Sequence, residues 1–185
     1  MKVLRNTVVI FYSDNGTDSR IRSRTSGGIV QGGKGFTTAN GIHVPLIASW
    51  PGRIPGGAVI SDLVDSTDFL PTIAELGGVT MPADWKPDGV SFAPRLFGEP
   101  GQPREWAFFW HDPRPGWDKE YRTRHIFALT HRFKLYSDGR FFDLGKDPTE
   151  LSPLPAAQLS SPQRAIHDKL KTVISRQLQD FPDRR

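Results

Sequence analysis

Apolar residues run unbroken from Val8 through Val9, Ile10 and Phe11, then give way to Ser13-Asp-Asn-Gly16. A short continuous apolar run is the pattern of a strand covered on both faces, as inside an α/β sheet. Its abrupt end in a carboxylate, an amide and a glycine puts oxygen donors at the carboxyl end of the predicted strand, where open α/β sheets bind their ligands. Residues 17–43 are rich in Gly, Ser and Thr, with Arg20, Arg22 and Arg24 interspersed, and show neither helical nor strand period, which predicts a loop. Val44-Pro-Leu-Ile-Ala-Ser-Trp50 predicts a second strand, with Pro45 near its start, where a missing N–H is tolerated. Asp68 is placed to cap a helix that holds Phe69, Leu70, Ile73, Ala74 and Leu76 and stops at Gly77. Strand, loop, strand and helix make an α/β rhythm.

Further along the pattern changes. From Thr80 to Pro115 the chain is rich in Pro and Gly and predicts a surface path with short elements such as Trp106-Ala-Phe-Phe-Trp110. The runs His125–Thr130, Phe133–Tyr136 and Arg140–Leu144 predict short strands, with Ser137-Asp-Gly139 as the hairpin turn between the last two. Ser161-Pro162 opens a predicted helix with Ile166, Leu170, Val173, Ile174 and Leu178 on one face, ending before Pro182. The chain therefore divides into an α/β part over 1–115 and a small antiparallel β subdomain with a terminal helix over 116–185.

Composition narrows the chemistry. With 185 residues, 37% of them hydrophobic, the chain can bury the core of one sizeable domain or of a domain with an appendage. A net charge of +4 suits an anionic small substrate and does not call for a nucleic-acid partner. The chain has no cysteine, which removes disulfides, thiolate metal sites and a cysteine nucleophile, and which leaves the compartment undefined. The apolar run near the start meets Asp14 without a small-residue cleavage site, so no signal peptide is expected, and no segment has the length of a membrane span. A chain that opens on a central-strand pattern suggests that upstream sequence is missing.

Asp14 and Asn15 are hard oxygen donors of the kind calcium or magnesium prefers, but calcium takes about six to eight oxygens, so further ligands must come from elsewhere. Asn-Gly is equally a turn dipeptide. Gly27-Gly-Ile-Val-Gln-Gly-Gly-Lys-Gly35 sets the Lys34 ammonium on a loop whose backbone N–H groups can also reach an anion; a mobile loop with a solvated lysine has the same pattern. A phosphate-binding P-loop needs Ser or Thr where Gly35 stands, and a helix that Gly41 and Pro45 oppose.

Taken in order, Asp14-Asn-Gly16, Gly32-Gly-Lys-Gly35, Gly41-Ile-His-Val-Pro45, Trp50–Gly56 and Asp65–Thr72 resemble the type I sulfatases. Asp88–Phe92, Arg132–Leu135, Phe142–Leu144 and Asp147-Pro148 extend the resemblance over almost the whole chain, as the carboxyl-terminal half of that family. The resemblance implies a partial alkaline-phosphatase-like sheet with flanking helices, followed by a small antiparallel sheet and a C-terminal helix. It also implies that Asp14 and Asn15 are Ca2+ ligands and that Lys34 is a catalytic and substrate-binding lysine holding sulfate oxygens. His111, beside Asp112 and after an aromatic run, is a candidate to line a substrate pocket, with a surface histidine beside Pro113 as the alternative. The implied substrate is a sulfated small molecule or glycan, and phosphate or phosphonate esters are the alternative.

The family's formylglycine nucleophile, its other acidic ligands and its remaining catalytic Lys and His residues lie upstream of Asp-Asn-Gly and are absent here. This predicts an inactive or nearly inactive isolated chain, and a separately encoded amino-terminal half or a non-catalytic remnant as readings of its origin. Ser91-Phe-Ala-Pro-Arg95 has the loose form of a formylglycine conversion signal but falls on the wrong side of the metal motif, which points to coincidence. Ala39-Asn-Gly-Ile-His43 departs from the family's usual Glu-Gly-Gly-x-Arg. Arg122, Arg124, His125, His131, Arg132 and Lys134 form either a polyanion surface or, with their alternation, the wet face of a strand.

Overall fold

The computed structural model describes residues 3–112 and 123–181. In chain order the elements are β1 (Val9–Tyr12), β2 (Arg22–Thr25), β3 (Gly28–Gln31), α1 (Ala39–Ile42), β4 (Leu46–Ser49), α2 (Phe69–Leu76), α3 (Ala93–Leu96), β5 (Ala107–His111), β6 (His125–Leu129), β7 (Phe133–Tyr136), β8 (Phe141–Asp143) and α4 (Ser161–Asp180). They form two compact units, the first drawn from Met1–Tyr12 and Pro45–Glu105 and the second from Ser13–Val44 and Trp106–Arg185. The division expected at 115/116 lies outside the described residues.

In the first unit β1 pairs antiparallel with β4, Val9 opposite Ser49 and Phe11 opposite Ile47. Alternation sends Ile10 and Tyr12 to one face, where the Tyr12 ring meets Phe69 of α2 edge-on at 4.8 Å and Phe69 meets Phe92 at 5.8 Å. Val9, Phe11 and Ile47 point the other way and are 52%, 58% and 60% exposed. Among the described residues, the sequence pattern of a doubly covered strand is thus met on one face only.

Asp68 does not cap α2 as the sequence suggested. Asp65 caps the preceding single turn, accepting from the Thr67 N–H, while the Asp68 carboxylate accepts from the Asp65 and Val90 N–H groups and pairs with the Arg104 guanidinium. Both side chains of that pair are buried. The Thr72 hydroxyl donates to the Asp68 carbonyl and accepts from the Phe92 N–H, so residues 90–92 are held against α2. A buried carboxylate needs a cation and several donors, and Asp68 has both.

The second unit contains a four-stranded antiparallel sheet in the order β5-β6-β7-β8. The sheet begins at Ala107, upstream of the expected start, because the aromatic run Ala107–His111 pairs with β6. One face presents Ile126, Ala128, Phe133, Leu135 and Phe141 to Leu170, Val173 and Ile174 of α4, as the helical period predicts. The Gln163 carboxamide oxygen accepts from the Ser160 N–H at the start of α4. Pro182 lies outside the described residues. No helix among the described residues is long and apolar enough to cross a membrane.

The β7–β8 turn is where expected: the Gly139 N–H donates to the Tyr136 carbonyl, and Gly139 has φ 93°. That conformation is strained for a residue with a Cβ. Gly139→Ala is expected to lower stability by about 1 kcal/mol, read as a shifted denaturant midpoint at unchanged slope.

A candidate metal and oxyanion site

The acidic bend and the lysine loop lie in the same unit and are joined through their backbones. Asp14 is exposed and Asn15 half-buried, and the Ser13 hydroxyl donates to the Asn15 carbonyl at 2.9 Å. Directly after the bend, the Gly16 N–H donates to the Gly41 carbonyl and the Thr17 carbonyl accepts from the Lys34 N–H, both at 2.9 Å. A Cβ at Gly16 would collide with the Asn40 carbonyl, and one at Gly41 with the Phe36 and Gly33 carbonyls. Here glycine serves close backbone approach rather than mobility. The Lys34 side chain is exposed. Nearby, the Asp18 carboxyl is held down to about 2, chiefly by hydrogen bonds from Arg20, with the Lys34 charge adding to the effect.

Residues 17–43 are not the plain loop that the sequence suggested. β2 and β3 form a hairpin with Arg22 opposite Gln31 and Arg24 opposite Ile29, and α1 adds one helical turn. Every residue of the hairpin is exposed, so no buried alternation was there to be read. The single turn of α1, after Gly35, also sets this loop apart from a P-loop, which leads into a helix.

The lysine loop is anchored on the sheet face opposite α4. The Thr37 hydroxyl lies 2.8 Å from the Tyr136 hydroxyl, and the Thr37 carbonyl accepts from Lys134 Nζ at 2.5 Å. Glu150 completes the cluster, accepting from Lys134 Nζ at 2.8 Å and from the Tyr136 hydroxyl at 2.5 Å. Lys134 is fully buried, its ammonium 4.0 Å from the Phe127 ring centroid and 4.6 Å from that of Tyr136. The wet-face reading of Lys134 is therefore wrong: the loop covers that face. Thr37, Tyr136 and Glu150 escaped sequence reasoning because up to 99 residues separate the partners. Only the φ of 59° at Glu150, a rare value for a non-glycine residue, marks the place in the backbone.

Burial pushes the Lys134 ammonium down to about 8, against the opposing hydrogen bond and charge of Glu150. An unfolded lysine keeps its proton to about 10.5. Between these values the unfolded chain binds more protons than the folded one, so stability contributed by this group rises with pH. Burial and the Glu150 hydrogen bond raise the Tyr136 phenol, which reverses the trend above about pH 10. Native chain is therefore expected to gain stability from pH 8 to 10 relative to Lys134→Met, in denaturant titrations at the two values.

His111 stands opposite His125 at the end of the β5–β6 ladder, half-buried, on the face that also carries Lys134 and Tyr136. Burial, then the charges of Arg140 and His111, hold the His125 imidazole below its usual range. The basic cluster does not form one surface among the described residues: Lys134 is buried, Arg132 pairs with Asp143 at 2.7 Å, and Arg124 lies over the Trp110 ring. Arg122 lies outside the described residues. Ser91 accepts from the Ala93 N–H at the start of α3, a local turn contact, and Arg95 pairs with Asp62 at 2.6 Å, tying α3 to the segment before α2.

The Asp14 carboxylate and the Asn15 carboxamide are hard oxygen donors of the kind calcium takes. The described residues contain no group of three or more His, Cys, Asp or Glu that could hold a metal, so the two donors do not make a carboxylate-rich site by themselves.

An acidic bend tied to a glycine-lysine loop, with a small antiparallel sheet and a terminal helix, is the carboxyl-terminal part of a sulfatase with an alkaline-phosphatase-like fold. The chain belongs to the family described as N-sulphoglucosamine sulphohydrolase, C-terminal, whose model matches residues 33–179. Human arylsulfatase A is 35% identical over 161 residues, covering 86% of this chain and 29% of that protein. The solved structure of BT4656, in complex with its substrate D-glucosamine-2-N,6-O-disulfate, superposes with a TM-score of 0.71 at 23% identity, covering 96% of this chain and 36% of that one. The PsFucS1 sulfatase from Pseudoalteromonas sp. gives a TM-score of 0.66 at 25% identity, with coverage of 98% and 39%. The chain thus spans about 30% of the length of the curated relatives it matches.

Proposed function

We propose that this chain supplies the calcium-and-oxyanion side of a sulfatase active site and takes part in hydrolysis of sulfate esters only together with a formylglycine-bearing half. The observation that carries this reading is the backbone link of the Asp14–Asn15 bend to Lys34 through Thr17, in a chain matched by the sulfatase family over 33–179. In this reading Asp14 and Asn15 hold calcium, which when bound offsets the charge that gathers on sulfuryl oxygens. Lys34 supplies an ammonium for the same oxygens, and the clamp from Lys134, Tyr136 and Glu150 to Thr37 holds its loop in position. His111 borders the pocket for the rest of a sulfated small molecule or glycan. BT4656 acts on such a molecule, a glucosamine with two sulfates.

The bare apolar face of Val9, Phe11 and Ile47 supports a partner that packs over the sheet. That partner is the amino-terminal part of a sulfatase, either in the same chain or separately encoded. With the nucleophile absent, the chain alone is inactive. Co-expression with the formylglycine-bearing half of a relative tests this. Hydrolysis of p-nitrophenyl sulfate is expected only from the mixture. Faster turnover of p-nitrophenyl phosphate or a phosphonate ester would move the assignment to those substrates, and lack of association would favour a non-catalytic remnant.

A further inference from the structure

The β2–β3 hairpin has no part in the chemistry above. Between Ser19 and Gln31 the chain carries Arg20, Arg22 and Arg24 and no acidic residue. The three arginines are not equivalent. Arg20 is occupied by Asp18 through both Nε and a terminal nitrogen. Arg22 and Arg24 are exposed, and neither has a carboxylate partner among the described residues. Two apart on one strand, they present their guanidinium groups to the same face, about 7 Å from each other along β2.

The hairpin is a braced projection. At its base the Gly32 N–H donates to the Ile21 carbonyl at 2.8 Å, one step beyond the Arg22–Gln31 pair. Asn40 Nδ2 donates to the Gln31 carbonyl at 2.8 Å, the Gln31 amide reaches the Ser19 carbonyl, and the Thr25 hydroxyl donates to the Gly28 carbonyl at 3.0 Å. A Cβ at Gly32 would collide with the Asp18 carbonyl, so the stem is closed tightly. The next rung toward the site is the bond from Lys34 to Thr17. Gln31 and Ile29, which face Arg22 and Arg24, stand three and five residues from Lys34, so at most roughly 10 and 18 Å of chain separate them from it.

We propose that Arg22 and Arg24 form a guanidinium finger that binds a second anionic group, sulfate or carboxylate, of a polyanionic glycan whose first sulfate is held at Lys34. This rests on the sulfatase reading for its substrate class. A guanidinium meets sulfate and carboxylate with two parallel hydrogen bonds, a geometry that a lysine ammonium lacks. Two exposed charges on a braced stem give a modest, salt-sensitive gain that sorts polyanionic from singly charged substrates.

The test is fluorescence anisotropy of a labelled heparin tetrasaccharide titrated with the whole 185-residue chain at low and physiological ionic strength. Two exposed contacts predict about a tenfold loss of affinity in Arg22→Gln/Arg24→Gln at low salt, with a shallower salt dependence and an unchanged melting temperature. Arg124→Gln, outside the finger, is expected to bind like the native chain. Native-like binding by the double variant, or loss of binding in Arg124→Gln alone, overturns the proposal, as does a native chain that does not bind. The measurement needs neither turnover nor the other half, so the finger and the hydrolytic assignment can fail independently.

Discussion

Replacing Lys134 by methionine is expected to destabilise the chain by about 3–5 kcal/mol, because removal of one member of a buried pair leaves the other charge without compensation. The side chains of Lys134 and Glu150 are 0% and 4% exposed, and methionine keeps the length of the lysine stem while leaving Glu150 and the Thr37 carbonyl short of a donor. In a chain of this size the loss corresponds to a melting temperature about 10 °C lower. A second change, Glu150→Gln in the Lys134→Met background, removes the stranded carboxylate and is expected to recover a substantial part of that loss. An equal loss in single and double variants would show that Lys134 acts through packing alone. Faster hydrogen exchange at residues 36–38 than in α4 is also expected of Lys134→Met, since the clamp holds this loop.

In the assembled two-part enzyme, Lys34→Ala is expected to reduce kcat for p-nitrophenyl sulfate by about 100- to 1000-fold, the range for removing one preorganised donor to a developing anion. The exposed Lys34 side chain has no packing role, so its loss leaves the fold and melting temperature unchanged. A drop in activity matched by a drop in melting temperature would instead mark a folding defect. Arginine at this position keeps the charge but changes its shape and reach, and Lys34→Arg is expected to recover only part of the rate.

Much of the fold was legible because its signals are local. The apolar positions Ile166, Leu170, Val173 and Ile174 repeat with the helical period, and Leu170, Val173 and Ile174 are buried against the sheet. Ser137-Asp-Gly139 carries its own turn chemistry and forms the turn. The Arg22–Gln31 hairpin was invisible because both strands are exposed on both faces, leaving no alternation of apolar and polar positions. Asp68 looked like a cap from its position before an apolar period, but a distant arginine claimed its carboxylate. Lys134 alternates with Phe133 and Leu135 as a solvent-facing strand residue would, and its burial depends on Thr37 and Glu150, remote in sequence. For the candidate site, the ordered motifs named the family. The clamp behind the lysine loop needed coordinates, since long-range polar contacts leave no periodic trace.

The proposed cradle of Asp14, Asn15 and Lys34 makes a divided prediction that calcium titration of the assembled enzyme by isothermal calorimetry reads directly. Asp14→Ala is expected to weaken calcium binding by at least about tenfold through loss of an anionic oxygen donor, while Lys34→Ala binds calcium like the native assembly despite its lost turnover. Native calcium affinity in Asp14→Ala would contradict the account.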